Sequence, residues 1–502
     1  MPGKRVAVIG AGVSGLGAIK ICLEEGLEPT CFERSNDIGG LWRYEEKVEA
    51  GRPSIYKSVT SNALKEMTAF SDYPFPDHFP NYLHNSKVME YIRMYVKHFH
   101  LKKHIQFLVC SVRKHSDFSS TGQWDVVVEV EGKQKSFVFD GVMVCTGLYT
   151  NPFLPLQNFP GIKRFKGQYM HSGEYKTPEE FRGKKIIVVG IGNSGIDLAI
   201  ELSHVVAQVF LSTRQVAWIW NQVWDNGMPM DTVLFTRFNS VVNRFYPTFL
   251  INKWAVDKLN LQFNHDIYGL LPQHSHHSSF ADDLPNHIIS GRVLIKPNIG
   301  EFTETLAIFE DGTEEDLDVV IFATGYTFYF PFLGNDSTVL DSQCSMFKFV
   351  FPPQQEKPTL AFIGILQPSQ WAIRVFKGLN KLPSMSVMMA NIRKKRRKIE
   401  KEMLNNPRNI FRPNLFSLFL RDPKLFKEVF FGPCTPYQYR LQGPGKWAGA
   451  QGAILTQKKC IIKPLRTRIL IRNQPLYSVL FWLKIVCSAL LLFVLTLVII
   501  KG

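Results

Sequence analysis

Arg5-Val-Ala-Val-Ile-Gly10-Ala11-Gly12-Val13-Ser14-Gly15 stands near the start of the chain, and its reading decides the fold. Residues 5–9 have the composition of a buried strand. The glycines follow at the spacing of a dinucleotide loop. Gly10 permits the tight turn, Gly12 lets a pyrophosphate approach the backbone, and Gly15 lets the next helix pack on the strand. A helical pattern continues through Leu16, Ile19, Ile21 and Leu23 and ends near Gly26. Its N-terminus offers free N–H groups and the positive end of a dipole to phosphates. A second strand, residues 29–32, ends at Glu33, whose carboxylate can accept a hydrogen bond from a ribose 2′-hydroxyl. This loop suits FAD or NAD. The plain alternative is a tight turn in an empty Rossmann-like domain.

The pattern recurs at Gly190-Ile-Gly192-Asn193-Ser194-Gly195, after a strand over residues 184–189 and before a helix through Leu198 and Ile200. The next strand, 208–211, leads into Ser212-Thr213-Arg214, with no acid. A carboxylate there would repel a 2′-phosphate, whereas hydroxyls and an arginine bind one by charge-assisted hydrogen bonds. The second loop therefore suits NADP(H). Two such loops point to a flavin–nicotinamide oxidoreductase; the alternative is a duplicated scaffold with one dead site.

Gly39-Gly40-Leu41-Trp42 reads as a close backbone approach to the flavin, or as an ordinary turn with a packed tryptophan. Residues 141–147 and 319–326 are both buried-type strands that break at Thr-Gly (Thr146-Gly147 and Thr324-Gly325), each after a hairpin-like stretch with a glycine turn. Such breaks suit a chain crossing between two nucleotide domains. The expected fold class is α/β, with two Rossmann-like domains, a discontinuous FAD domain carrying an inserted NADPH domain, and a C-terminal membrane-anchoring helix. The expected divisions are 1–155 (FAD domain, first part), 156–325 (NADPH domain, with an insertion at about 214–295), 326–450 (FAD domain, second part, and membrane-proximal helices), 451–475 (basic linker) and 476–502 (anchor).

Composition agrees. The 502 residues are 45% hydrophobic and 20% charged, which excludes disordered and collagen-like classes. The net charge of +16 favours anionic partners: a phosphorylated cofactor, acidic lipid or nucleic acid. Eight scattered cysteines without a Cys-x-x-Cys pair indicate a reducing compartment and no zinc site. The His274, His276, His277 cluster reads as a solvated loop, not a metal site. Arg393-Lys-Lys-Arg-Arg-Lys398 reads as a solvated helix face near anionic lipid, since no nucleic-acid motif accompanies it. Asn335-Asp-Ser337 matches a glycosylation sequon, unused in the cytosol.

No secretory signal precedes the first strand. Between Tyr477 and Ile500 only Lys484 is charged, and as a helix that segment would be about 36 Å long, enough for a hydrocarbon core of ~30 Å. Basic residues crowd its N-terminal side, which predicts a tail anchor with the body in the cytosol. A helix lying on the membrane surface or buried in the protein stays open.

The residues also carry a resemblance. Phe165-Lys-Gly167-Gln-Tyr-Met-His171-Ser-Gly-Glu-Tyr175 matches the pattern F-x-G-x-x-x-H-x-x-x-[YF] of flavin-containing monooxygenases of the vertebrate microsomal type. Ser54-Ile-Tyr-Lys-Ser58, Asn62, Lys65-Glu-Met67, Asp282-Asp-Leu-Pro-Asn286, Phe322-Ala-Thr-Gly-Tyr326 and Gly443-Pro-Gly-Lys-Trp447 extend it nearly end to end. The resemblance implies an NADPH- and O2-dependent enzyme of the endoplasmic reticulum membrane. It would oxygenate soft nitrogen or sulfur atoms of small xenobiotics or metabolites, amines or sulfides, through a C4a-hydroperoxyflavin.

Its cofactors would be FAD and NADPH, its partners membrane lipid and not nucleic acid, with an oligomer possible. Asn62 and Asn193 would be the catalytic pair, holding the oxygenated flavin and the nicotinamide by hydrogen bonds; N-capping is the plain role for Asn193. Gly10, Gly12, Ser14, Gly15, Glu33, Gly40, Leu41, Trp42, Asn62, Gly190, Gly192, Asn193, Ser194, Gly195, Ser212, Thr213, Arg214, Thr324 and Gly325 would bind the cofactors. His171 and Tyr175 would brace the domain junction.

Several positions depart from the family pattern. Ser61-Asn62-Ala63-Leu64 replaces the usual Thr-Asn-Ser-Ser, Gly173 replaces an arginine, and Gln215-Val216-Ala217-Trp218 replaces Gly-Ala-Trp and its polar lead. Roughly ten residues of the family are missing before Trp371, and a longer stretch between Met403 and Arg412. A shortened flavin-side wall would leak hydrogen peroxide. Two further readings therefore stand: Baeyer–Villiger or NADPH oxidase chemistry, and a paralogue that binds FAD but is catalytically impaired.

Overall fold

The computed structural model describes residues 3–108, 110–130, 132–214, 217–270, 278–334, 346–364, 368–399 and 415–468. The His274–His277 cluster, the sequon, the residues at both shortened stretches (365–367 and 400–414) and the apolar segment 477–500 lie outside these.

Two parallel five-stranded sheets form the frame. The first has the order Leu360–Phe362, Gly141–Val144, Arg5–Ile9, Glu28–Phe32, Ile105–Gln106. The second has the order Val293–Lys296, Gln208–Ser212, Lys185–Val189, Val319–Phe322, Gln168–His171. Each glycine loop leaves the central strand of its sheet. These strands are covered on both faces, which is why residues 6–9 and 186–189 read as unbroken apolar runs.

Register places the loops. Ile9 lies opposite Phe32, and the Gly10 N–H donates to the Phe32 carbonyl at 2.8 Å, so Glu33 emerges beside the first loop. Val189 lies opposite Ser212, and the Gly190 N–H donates to the Ser212 carbonyl at 2.9 Å. The helices that follow span Val13–Glu24 and Asn193–Leu202.

The first sheet takes its edge strand, Leu360–Phe362, from beyond every strand of the second. The two crossings lie side by side, with Asn151–Pro152 antiparallel to Tyr326–Thr327. Before each comes a three-stranded antiparallel sheet, and the tight turns fall at Gly132 and Gly312, both with positive φ. Around the missing family residues, the helix Pro368–Phe376 carries Trp371 edge-on to Phe351, ring centres 5.1 Å apart.

The far end of the first loop's helix is held by buried charge. Asp72 takes Lys20 and, at 3.1 Å, Arg440, which also reaches Glu24 at 3.4 Å. Buried ions are tolerable only when paired in this way. Gly443–Trp447 docks alongside, where Gln370 Nε2 donates to the Pro444 carbonyl at 2.7 Å. Among the described residues no helix is long and apolar enough to cross a membrane, and no group of three metal-ligating side chains occurs. The described cysteines are free. The basic run sits on the helix Met385–Ile399 with Arg393 and Lys394 exposed.

Candidate active site

In the first loop, a Cβ on Gly15 would stand 1.8 Å from the Gly10 carbonyl oxygen, so only glycine allows that helix to pack. At Gly12 a Cβ would meet only the Gly40 Cα, 3.7 Å away, which leaves the backbone face open for a phosphate. First-turn amides have no acceptor within their helix and point out of its end. The loop thus fits a nucleotide pyrophosphate. Gly40 closes on Gly12 itself, not on open space, and the Gly39 N–H donates to the Ala11 carbonyl at 3.1 Å. Leu41 and Trp42 follow in a short 3-10 turn and are half-buried.

Glu33 is buried, and its carboxylate is already engaged. Oε2 accepts the Ala11 N–H at 2.7 Å, and Oε1 accepts the Ser35 N–H at 2.9 Å and hydroxyl at 2.7 Å. A carboxylate offers about four acceptor sites, so one remains for a ribose hydroxyl. The acid shapes the loop through Ala11 and keeps acceptor capacity beside it.

The second loop repeats the packing: a Cβ on Gly195 would stand 2.0 Å from the Gly190 carbonyl oxygen, and one on Gly192 would meet nothing within 4 Å. Ser194 is exposed in the first helical turn. The strand end differs from the sequence expectation. Ser212 is buried and its hydroxyl donates to the Pro297 carbonyl at 2.7 Å, so it is not presented to a phosphate. The Thr213 N–H donates to the Lys296 carbonyl at 3.1 Å, and Arg214 is exposed just beyond. Thr213 also lines a cleft of about 740 Å³ with Tyr268, Lys296 and Pro297.

Asn193 does not cap its helix; Gly192 is the cap residue. Instead, Asn193 Oδ1 accepts the Phe280 N–H at 3.0 Å, which leaves the Nδ2 donors to face a ligand. Asn62 is exposed on a turn clamped from two sides. The Ser61 N–H donates to the Leu83 carbonyl at 2.8 Å, and the Leu64 N–H to buried Asp231 Oδ2 at 2.7 Å. Asp231 comes from the 214–295 insertion and was not visible as a partner in the sequence.

Thr324 and Gly325 are used by the crossing. The Thr324 hydroxyl donates to the Phe153 carbonyl, and the Gly325 carbonyl accepts both the Phe153 N–H and His171 Nε2–H, each at 2.9 Å. Their expected role as cofactor ligands is therefore not one for the Thr324 hydroxyl or the Gly325 carbonyl. His171 is 1% exposed, and its Nδ1 accepts the Gly173 N–H at 3.1 Å. Burial lowers its pKa, so the imidazole is a neutral brace and not an acid or base. A Cβ on Gly173 would stand 2.9 Å from Tyr326 Oη, so the family's arginine would require the Tyr326 side chain to shift.

Two more side chains escaped the sequence reading. Tyr56 Oη donates to Asp197 Oδ2 at 2.8 Å, although the residues are 141 positions apart. Asp282 Oδ1 accepts the Gln222 N–H at 3.0 Å and so ties two parts of the insertion together beside the strand Ser278–Phe280, whose Phe280 N–H holds Asn193. The only available signal was their place in stretches shared with the family, which carries no geometry.

Comparison with known proteins agrees with this site. The model of the flavin-binding monooxygenase-like family matches residues 3–500. Flavin-containing monooxygenase 5 of Rattus norvegicus is 55% identical, over 94% of this chain and 95% of its own. That alignment spans 508 positions yet covers 94% of a 502-residue chain, so the relative has residues this chain lacks. Dimethylaniline monooxygenase [N-oxide-forming] 2 of Mus musculus is 50% identical, over 96% of both chains. The structure of S-allyl-L-cysteine S-oxygenase from Allium sativum superposes with a TM-score of 0.60 over 92% of this chain and 99% of that one; at 20% identity it bears on the fold alone. With twin glycine loops of this geometry and relatives more than half identical over nearly its whole length, the chain belongs to the flavin-containing monooxygenases and is an oxidoreductase.

Proposed function

We propose that the protein uses FAD in the first loop and NADPH in the second to oxygenate soft nitrogen or sulfur atoms of small molecules. The observation that carries this reading is the unlike chemistry of the two strand ends: buried Glu33 beside one loop, Thr213 and exposed Arg214 beside the other. The open backbone at Gly12 and Gly192 supports a pyrophosphate in each cradle.

FAD, when bound, supplies two-electron reduction and the activation of dioxygen. The chain's own residues bind, orient and exclude water. Gly10 to Gly15, Glu33 and the Gly40–Trp42 turn hold one nucleotide; Gly190 to Gly195, Thr213 and Arg214 hold the other. Asn193, its oxygen fixed by Phe280, donates from Nδ2 toward the nicotinamide side. Asn62 offers a carboxamide from its clamped turn. The FAD domain is then residues 1–155 and 326–450, interrupted by the NADPH domain at 156–325, in keeping with the strand Leu360–Phe362 in the first sheet.

The protein acts at the endoplasmic reticulum membrane, with segment 477–500 as its anchor and the body in the cytosol. A row of ring contacts supports a lipid-facing surface: Phe238 meets Phe431 at 5.3 Å, and Phe419 meets Phe426 at 5.2 Å. Phe416, Phe419 and Phe431 are 74%, 50% and 52% exposed. The helix Ala450–Ile462 packs on the helix Pro423–Phe430 of this row and carries Lys458 and Lys459. Exposed apolar rings with basic neighbours are the pattern of a membrane-surface face.

Product analysis tests the chemistry. A thioether, a tertiary amine and a ketone are offered with NADPH and air. The expected products are sulfoxide and N-oxide. Ester from the ketone alone indicates Baeyer–Villiger use of the site. Peroxide without organic product indicates an oxidase or impaired paralogue.

A further inference from the structure

Residues 54–58 form a strap between the turn that bears Asn62 and the helix that opens at the second nucleotide loop. At one end they are fastened to the helix Asn193–Leu202 and to Tyr175 and Lys176, which precede the strand Lys185–Val189. Tyr56 Oη donates to Asp197 Oδ2 at 2.8 Å, and the Lys57 N–H donates to the Lys176 carbonyl at 3.0 Å. Lys176 Nζ donates back to Ser54 Oγ at 2.6 Å and to the Ile55 carbonyl at 3.2 Å. The Tyr56 ring meets the Tyr175 ring edge-on, centres 5.7 Å apart. Toward the other end, Val59 accepts the Asn85 N–H at 2.9 Å, and Ser61 Oγ accepts the Leu83 N–H at 2.9 Å; Asn62 is the next residue.

Asp197 stands four residues after Asn193, so both lie on one face of that helix. The strap therefore joins the turn bearing Asn62 to the helix bearing Asn193 through the Tyr56–Asp197 hydrogen bond, with Ser58 also engaging Glu201 of that helix, and a short run of backbone. Neither Tyr56 nor Asp197 belongs to a glycine loop or a strand end. Their contact has no evident part in binding either nucleotide, but it ties the segment leading to Asn62 to the helix that carries Asn193.

We propose that the Tyr56–Asp197 hydrogen bond is a positioning contact that sets the approach of the nicotinamide to the flavin, and so governs the rate of hydride transfer rather than cofactor affinity. This rests on the assignment of FAD and NADPH to the two loops. Transfer between held reactants is steep in geometry: a shift near 1 Å can cost about 100-fold.

The test is anaerobic stopped-flow reduction of the FAD-loaded full chain by NADPH and by its 4-deuterated form. Tyr56→Phe and Asp197→Ala should each slow reduction roughly tenfold and alter the deuterium isotope effect, with flavin content and the NADPH dissociation constant within about twofold of wild type. The double variant should be no slower than either single one. Asp197→Asn keeps an acceptor for the tyrosine hydroxyl and should restore most of the rate; it also serves if the alanine variant does not fold. Additive losses, or a lower melting temperature at an unchanged reduction rate, overturn the proposal. A wild-type protein that holds FAD but is not reduced by NADPH overturns the loop assignment and this role with it. Normal wild-type reduction with indifferent variants overturns the contact alone.

Discussion

The Ser212 hydroxyl is bound to the Pro297 carbonyl at 2.7 Å, at the place where the second nucleotide's ribose is expected. On the proposed assignment, discrimination for a 2′-phosphate would therefore rest on Arg214 and Thr213. Arg214→Glu should raise the KM for NADPH far more than that for NADH, by about two orders of magnitude if a charge-assisted pair of ~2–3 kcal/mol is replaced by repulsion. Ser212→Ala should leave the NADPH to NADH ratio within about twofold. Steady-state kinetics with both coenzymes measures this; equal effects of Arg214→Glu on the two would remove the 2′-phosphate role.

His265 predicts a pH effect. It is fully buried; Nδ1–H donates to Asn260 Oδ1 at 2.9 Å and Nε2 accepts the Ile219 N–H at 3.2 Å. Burial holds the imidazole neutral and lowers its pKa from 6.5 to about 4. Below 6.5 the unfolded chain takes up a proton that the folded one refuses, so stability present above that pH is lost as pH falls toward 4, by up to ~3 kcal/mol. His265→Gln should flatten this slope. Melting curves of both proteins between neutral pH and the acid limb check it; parallel curves would contradict it.

The proposed membrane attachment should be separable from cofactor binding. Truncation before Tyr477 should leave flavin content intact and weaken sedimentation with membranes. Serine at Phe416, Phe419 and Phe431 should remove much of what remains, since each exposed ring contributes ~1.5–3 kcal/mol of transferable apolar surface. Unchanged pelleting of the truncated form would argue against the segment as the main attachment.

The frame was legible because it is local. Strand, glycine turn, helix and acid follow one another within about thirty residues, and each obeys a short-range rule: Gly15 and Gly195 are required by carbonyls five residues away. The expected strands at residues 5–9, 29–32 and 184–189 agree with the structure to within one residue at each end. What the sequence hides is long-range pairing. Ser212 reads as a phosphate ligand until the Pro297 carbonyl is seen to take its hydrogen. Asn193 reads as a cap until Phe280 claims its oxygen. Tyr56 and Asp197 are only a tyrosine and an aspartate until folding closes the 141 residues between them. Periodicity and propensity carry no information on such contacts, and His171 was expected as a brace from the family resemblance alone.

The central claim is that two nucleotides of unlike charge share this chain and meet ring to ring. Anaerobic addition of NADPH to the purified, FAD-loaded protein, followed by air and a thioether, tests it most directly. The flavin absorbance should bleach with one equivalent of NADPH and return on oxygenation, with about one sulfoxide formed per NADPH consumed. A polypeptide that takes up no flavin when FAD is offered, or a bound flavin that NADPH leaves oxidised, would contradict it.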